Sequence, residues 1–449
     1  MADVKRLGYM VDGEWKQSKS TTYLPITDSN TGAVIAETPM CTEAEVTEAI
    51  ESAHAAFGPW ASKPVQKRTE VLFTWRPMLL EKMEEIATLV STELGKNLDE
   101  ARGEVVKIIE AIDVAVGAPM LMKGESLMNV ATGHDTVSYR EPLGVFAGIA
   151  PFNFPAMIPF GWMLPLCIAC GNTFVLKAAN PVPLTSHLLL DMLYEAGLPK
   201  GVVNMVTAEK EQAEVLLKHP AVRGVSFVGT TPVGKHIYSI AAAHGKRVQA
   251  QTQAKNHGLV LRDASLERAA RGIINSTFGC AGMRCMALPV CVVENAVADE
   301  FVGYMKQFAQ ERVVGAAYNP KTELGPVVSE AHKASVTRWI DKGVEEGATL
   351  VLDGRDIVVP GFEGGHFVGP TIFDNVTPEM SCGWEEAFGP VLFIKRVKDF
   401  EEGLALMNHS QFANGSCIFT ETKCVTTRWF TEADKKQKQI STWEGTVNR

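Results

Sequence analysis

An excess of positive charge is the first thing this chain lacks: 43 Lys and Arg stand against 52 Asp and Glu, a net charge of −9 over 449 residues. Phosphate-backbone binding needs clustered cations in a basic field, so a nucleic-acid role is disfavoured and a small-molecule substrate is more natural. Neither a low-complexity tract nor an internal repeat is present, which sets aside disordered linkers and repeat arrays. The N-terminal Met1-Ala-Asp-Val-Lys-Arg-Leu-Gly-Tyr9 has no apolar h-region and no Arg/Ser-rich amphipathic stretch, so no signal or transit peptide is expected. The longest apolar run, Phe152 to Cys170, is broken by Asn153, Pro155, Pro159 and Pro165, which suit a buried turn and helix better than a bilayer span. Nine cysteines, odd in number and irregular in spacing, read as reduced thiols rather than a disulfide framework, so a cytoplasmic setting without a membrane partner is expected. No His/Cys/Asp cluster has metal-ligand spacing, and no metal is expected.

What is present is ordinary for an α/β protein: 46% hydrophobic residues, 21% charged and 38 glycines, in a chain long enough for roughly two or three domains. Residues 9 to 36 read as a short-strand meander with a turn at Asp12-Gly13. Helical periodicity follows, opened by a capping box of Thr42 and Glu45 and continued from Gln66 to Leu94 and from Leu98 to Val116. From Gly144 short apolar strands alternate with helices: Gly144–Ala150, Thr173–Lys177, Gly201–Val206 and Val222–Val228, the βαβ texture of an open doubly wound sheet. A second series begins at His257–Leu261, after a boundary near 254. Leu121 to Tyr139, without a helical period, is expected to be a projecting hairpin.

Chemistry concentrates in Phe278-Gly-Cys-Ala-Gly-Met-Arg-Cys-Met-Ala287. A thiol, Cys285, stands beside a guanidinium, Arg284, just after two glycines that permit close approach, and a neighbouring cation favours the nucleophilic thiolate. For any single cysteine an inert place in the core is the commoner reading, and it is the company of Cys285 that argues otherwise. Phe227-Val-Gly-Thr-Thr-Pro-Val-Gly234 ends a strand and opens a helix, a place where free amides suit a pyrophosphate, although it is not a G-x-G-x-x-G fingerprint and an ordinary turn is the commoner reading. Pro151-Phe-Asn-Phe-Pro155 leaves Asn153 little freedom, so its amide is a candidate oxyanion donor beside the plainer reading of a structural turn. Lys177 ends an apolar strand and either binds a ribose hydroxyl or phosphate or merely snorkels. Glu385-Glu386-Ala-Phe-Gly-Pro390 pairs carboxylates with Phe388, and solvated helix-end acids are the alternative. Cys167-Ile-Ala-Cys170 has redox spacing but sits in apolar surroundings that favour packing, and His257 beside Asn256 reads as a satisfied histidine near a strand start.

In order from about residue 7 to about residue 430, these pieces resemble the aldehyde dehydrogenase superfamily. Within it the chain is most similar to the CoA-acylating methylmalonate-semialdehyde branch, through Ile149-Ala-Pro-Phe-Asn-Phe-Pro-Ala-Met-Ile-Pro159, Ala254-Lys-Asn-His257 and Arg284-Cys-Met-Ala287. The resemblance implies a doubly wound, Rossmann-like NAD-binding domain over 1–121 and 140–253, an oligomerisation hairpin over 122–139 and an α/β catalytic domain over 254–430. The remaining 431–449 would be a diverged C-terminal tail, shorter than the family's. It implies Cys285 as nucleophile with Asn153 and the Cys285 backbone as oxyanion hole. Phe152, Lys177, Asn180, Gly229, Thr230, Gly234, Glu386 and Phe388 are the implied NAD-binding residues, CoA is the implied co-substrate, and the implied assembly is a homo-oligomer, dimer or tetramer.

Besides that tail, the largest departure, the chain departs from the pattern at three places. Gln251 stands where hydrolytic members carry the glutamate that activates water, and a neutral amide takes no proton, so CoA rather than water should resolve the thioester. Asn180 replaces the carboxylate on the adenosine ribose, which leaves NAD against NADP open. Of two arginines implied to hold the substrate carboxylate, Arg284 is one and Lys107 stands for the other, keeping charge but losing the bidentate fork. A CoA-independent dehydrogenase of other substrate range and a non-catalytic homologue are the alternative readings.

Overall fold

The computed structural model describes residues 4–422 and the backbone of 440–442, so of the diverged tail expected over 431–449 only that short piece is described. The chain divides into two compact units: residues 4–27, 34–93 and 101–252 in the first, and 28–33, 94–100 and the described residues from 253 onward in the second.

The first unit is built on a seven-stranded sheet whose order is Arg247–Gln251, Val222–Val228, Val145–Ile149, Thr173–Lys177, Val203–Val206, Tyr9–Val11 and Glu14–Lys16. The first five pair in parallel, and the hairpin at the far edge runs antiparallel. Asp12 and Gly13 take φ of 56° and 73° at that hairpin, the left-handed pair a two-residue turn requires. The expected strands and helices of the βαβ series are all present, and the sequence pattern missed the edge strand Arg247–Gln251, whose residues alternate between exposed and half-buried. Its core packs helix Glu43–Ala61 through Val46, Ala49, Ile50 and Ala53 against Val145, Ala147 and Val175, all at 0% exposure. Thr42 and Glu45 close the capping box at the start of that helix. The periodicity from Gln66 to Leu94 resolves into two helices, Val65–Glu81 and Met83–Glu93, interrupted at Lys82.

Ser126–Ala131 and His134–Val137 form a separate two-stranded sheet. Leu127, Met128, Val137 and Tyr139 lie exposed on or beside it, Tyr139 at 81%.

The second unit has its own seven-stranded sheet, ordered Thr349–Leu352, Thr371–Asp374, Val391–Val397, Val290–Glu294, His257–Val260, Ser416–Phe419 and Ile440–Thr442. Its pairs are parallel except at the Thr349–Leu352 edge. Two excursions from earlier in the sequence complete it. Asn30 Oδ1 accepts the Ala317 amide at 2.6 Å, and Gly95 lies so close to Pro326 that a Cβ there would fall 2.5 Å from its carbonyl oxygen. Among the described residues no helix is long and apolar enough to cross a membrane, and no group of three His, Cys, Asp or Glu could hold a metal.

Candidate active site

In the first unit, strand Thr173–Lys177 delivers Lys177 to its C-terminal end, where Nζ donates to Asn180 Oδ1 at 2.8 Å. Asn180 in turn donates through Nδ2 to the Ala208 carbonyl at 3.1 Å, so both ends of its amide are engaged. Burial pushes Lys177 down to about 8, with Glu209 acting in the opposite sense. Both residues line a cavity of about 350 Å³ together with Ile149, Lys210, Phe227, Val233 and His236. The helix Thr231–Ala243 opens beside it. Thr230 caps that helix through its extended backbone and makes no side-chain cap bond. A Cβ on Gly229 would fall 2.5 Å from the Phe227 ring and one on Gly234 2.4 Å from Thr252 Cγ2, so both positions require glycine.

Phe152 and Asn153 occupy the turn after strand Val145–Ile149, with Asn153 only 3% exposed. The Glu104 carboxylate fixes the chain just beyond, accepting the Ala156 and Met157 amides at 3.2 and 3.0 Å. Gln251 is an exposed residue at the end of the edge strand, its carbonyl taken by the Gly229 amide at 3.1 Å. Lys107 lies on an exposed helix face and pairs with Glu110 at 2.7 Å.

In the second unit, helix Leu266–Phe278 ends at Gly279, and Cys280, Ala281 and Gly282 follow in succession with φ of 50°, 49° and 74°. Three left-handed residues in a row are costly for non-glycine side chains, and the surroundings hold them. Glu100 Oε2 accepts the Cys280 amide at 2.8 Å, and a Cβ on Gly282 would fall 2.0 Å from the Gly389 carbonyl, so the turn lies directly against the Glu386–Gly389 loop. The chain then presents Cys285. Its carbonyl accepts from Asn256 Nδ2 and Asn414 Nδ2, each at 2.8 Å, and Asn256 also donates to the Ala287 carbonyl at 2.6 Å and accepts the Gly415 amide at 2.8 Å.

Of the two thiols in this stretch, Cys280 is buried, whereas Cys285 is half-buried and lines a pocket shared with Arg284, Glu386 and Phe388. The Ala254 amide donates to Glu386 Oε1 at 3.2 Å, and Lys255 Nζ ties down the carbonyls of Cys382 and Glu385. Phe388 takes φ of 52°, its carbonyl accepting a hydrogen bond from His332 Nε2 at 2.8 Å.

The electrostatics differ from those that adjacency in sequence suggests. The Arg284 guanidinium turns to Glu100, Nη2 to Oε1 at 2.9 Å. Burial and then the Glu386 carboxylate raise the Cys285 thiol above its ordinary value, against the smaller opposing pull of the Cys285 and Met286 amides and then of Lys96. Glu386 is itself raised, chiefly by burial. The reason is geometric: a strong carboxylate partner outside the local sequence captures the guanidinium, while the thiol faces a partly dehydrated pocket. His257 is wholly buried, held neutral near pKa 3 by burial and by Lys395, with Nδ1 against the Lys255 carbonyl at 2.7 Å.

The family model for the aldehyde dehydrogenase family matches residues 15–444. The chain belongs to the aldehyde dehydrogenase family. Malonate-semialdehyde dehydrogenase 2 of Bacillus cereus is 46% identical over 413 residues, 92% of this chain and 84% of that one. The malonate-semialdehyde dehydrogenase of Listeria monocytogenes serovar 1/2a is 45% identical over 420 residues, 94% and 85% of the two chains. Among solved structures, the methylmalonate-semialdehyde dehydrogenase of Oceanimonas doudoroffii has a TM-score of 0.93 at 39% identity, covering 96% of this chain and 88% of that one. A structure from Sinorhizobium meliloti 1021 complexed with NAD has a TM-score of 0.94 at 37% identity, with the same coverages.

Within this family fold, the residues singled out from the sequence fall into two groups. Arg284, Cys285, Glu386 and Phe388 share one pocket, and Lys177 and Asn180 share another with the helix opened by Gly229 and Thr230. Sequence reasoning missed Lys96, Glu100 and Asn414 altogether, and it noted Lys255 and Asn256 only as part of the Ala254–His257 motif, without the bracing they provide. Asn414-Gly415 is a turn signal and Lys255-Asn256 is a polar pair at a strand start, but neither pattern says which carbonyl it braces.

Proposed function

We propose that the chain oxidises a carboxylate-bearing semialdehyde of the malonate or methylmalonate type and releases an acyl-CoA. The observation that carries this reading is Cys285, braced by two asparagine amides, in one pocket with Arg284, Glu386 and Phe388. It is supported by the names of relatives about 45% identical over more than nine-tenths of the chain. NAD, when bound, supplies the hydride acceptor.

The cavity at Lys177 and the positive end of the helix that starts at Thr231 fit such a nucleotide: Lys177 and Asn180 would meet the adenosine ribose, and Gly229, Thr230 and Gly234 the pyrophosphate. Phe152, Glu386 and Phe388 complete the set that would hold it. Cys285 Sγ adds to the aldehyde carbonyl as thiolate, favoured by Lys96, and Asn153 with the Cys285 backbone amide donates to the developing oxyanion. Arg284 holds the substrate carboxylate, with Lys107 as the second cation of that role. Gln251 carries no basic group to activate water, so the thiol of CoA, a better nucleophile than water, cleaves the cysteinyl thioester. The exposed apolar hairpin at Leu127, Met128 and Tyr139 supports a homo-oligomer, dimer or tetramer.

The test is NADH formation from malonate semialdehyde, methylmalonate semialdehyde and unsubstituted aldehydes, with and without CoA, beside Cys285→Ala. CoA-dependent acyl-CoA formation is expected from the first two. Full turnover without CoA would replace the reading with a hydrolytic dehydrogenase, and no turnover on any aldehyde would replace it with a nucleotide-binding homologue.

A further inference from the structure

We infer that Glu100 shares Arg284 with the incoming substrate, and thereby sets how strongly the site prefers anionic over neutral aldehydes. This rests on the proposed role of Arg284 as the carboxylate anchor. The two oxygens of Glu100 do different work: Oε2 holds the Cys280 amide at 2.8 Å and Oε1 pairs with Arg284 Nη2 at 2.9 Å. The first contact fixes Glu100, because Cys280 sits at φ 50° in the left-handed turn and the carboxylate is part of what keeps it there. The guanidinium is fixed as well. It lies over Gly279, where a Cβ would fall 2.5 Å from Nη1 and 3.0 Å from Glu100 Oε1.

A guanidinium has several N–H donors, and the Glu100 contact uses only part of that fork, so a second carboxylate can be added without expelling the first. The side chains of Arg284 and Glu100 are 29% and 17% exposed, so their charges are incompletely screened. Arg312 feels both members of the pair, and Glu323 acts on Arg312 with the opposite charge. Glu100 therefore orients Arg284 and reduces the net positive charge the substrate meets. It is a positioning residue that tunes selectivity.

The test reads one ratio within one protein: the rate of Cys285 alkylation by iodoacetate, which carries a carboxylate, over that by neutral iodoacetamide, followed by mass spectrometry of the Cys285 peptide in the full chain. Glu100→Gln keeps an acceptor for the Cys280 amide and removes the charge. The ratio should rise about fivefold, the scale of removing one partly screened charge beside the anchor. Arg284→Gln should lower the ratio, and adding Glu100→Gln to it should restore only part of that loss, through relief of the remaining Glu100 repulsion. A purely structural Glu100 would slow both reagents alike, so a ratio unchanged within about twofold or falling in Glu100→Gln overturns the inference while leaving the anchor reading intact. An unchanged ratio in Arg284→Gln removes the anchor reading and the inference with it. If Glu100→Gln does not fold, Glu100→Ser or Glu100→Ala gives the same internal ratio.

Discussion

Replacing Asn256 by Ala should loosen the backbone at Cys285 and destabilise the second unit together. The side chain is 3% exposed and makes three hydrogen bonds: to the Cys285 carbonyl at 2.8 Å, to the Ala287 carbonyl at 2.6 Å and from the Gly415 amide at 2.8 Å. At about 1 kcal/mol net for each bond, and more for any buried group left unsatisfied, the loss is about 3 kcal/mol. For a unit of about two hundred residues that is roughly 6–12 °C in Tm. Asn414→Ala removes one bond to the same carbonyl and should cost about 1 kcal/mol. Asn256→Asp retains an acceptor for Gly415 but sets a carboxylate against two carbonyls, so it should be no better than Ala. Thermal unfolding followed by tryptophan fluorescence, with Cys285 alkylation measured well below the transition, gives both readouts. The reasoning fails if Asn256→Ala melts within about 2 °C of the parent, or if Asn414→Ala is the more damaging of the two.

Three further outcomes follow from the same geometry. Since burial and Glu386 raise the Cys285 thiol, its alkylation by iodoacetamide should still be climbing at pH 9.0, the ordinary thiol value, and Glu386→Gln should shift the profile to lower pH; a plateau at neutral pH in the parent would contradict this. Gly282→Ala puts a Cβ 2.0 Å from the Gly389 carbonyl at φ 74° and should cost about 3 kcal/mol with loss of activity, whereas Gly103→Ala, with nothing within 4 Å, should be neutral or slightly stabilising; equal melting of the two variants would refute the close approach. Lys177, lowered to about 8 by burial, is charged below that pH and neutral above it, so NAD binding measured by calorimetry should weaken from pH 7 to 9, and Lys177→Met should bind about tenfold more weakly with that dependence gone.

Local structure was written in the residue pattern. Period-2 and period-3.6 patterning placed the βαβ series, the Thr42 and Glu45 capping box appeared where Ser/Thr-x-x-Glu said it would, and the irregular segment before Tyr139 became a two-stranded hairpin. The candidate site was legible as motifs because glycines, prolines and a cysteine in fixed spacing leave a mark on the chain. The edge strand Arg247–Gln251 was not, since its alternation of exposed and half-buried residues is too weak to register as a buried strand. The partner of Arg284 came from folding alone: adjacency put a cation beside a thiol, but the guanidinium turned to Glu100, 184 positions earlier in the chain. Folding likewise decided that Lys96 favours the thiolate, that two asparagines 158 positions apart hold one carbonyl, and that Glu386 raises the thiol. Spacing in sequence fixes which side chains share a face of a strand or helix. Which charges and amides meet across elements depends on chain reversals that carry no local signature, and there the energies of hydrogen bonds and ion pairs are settled.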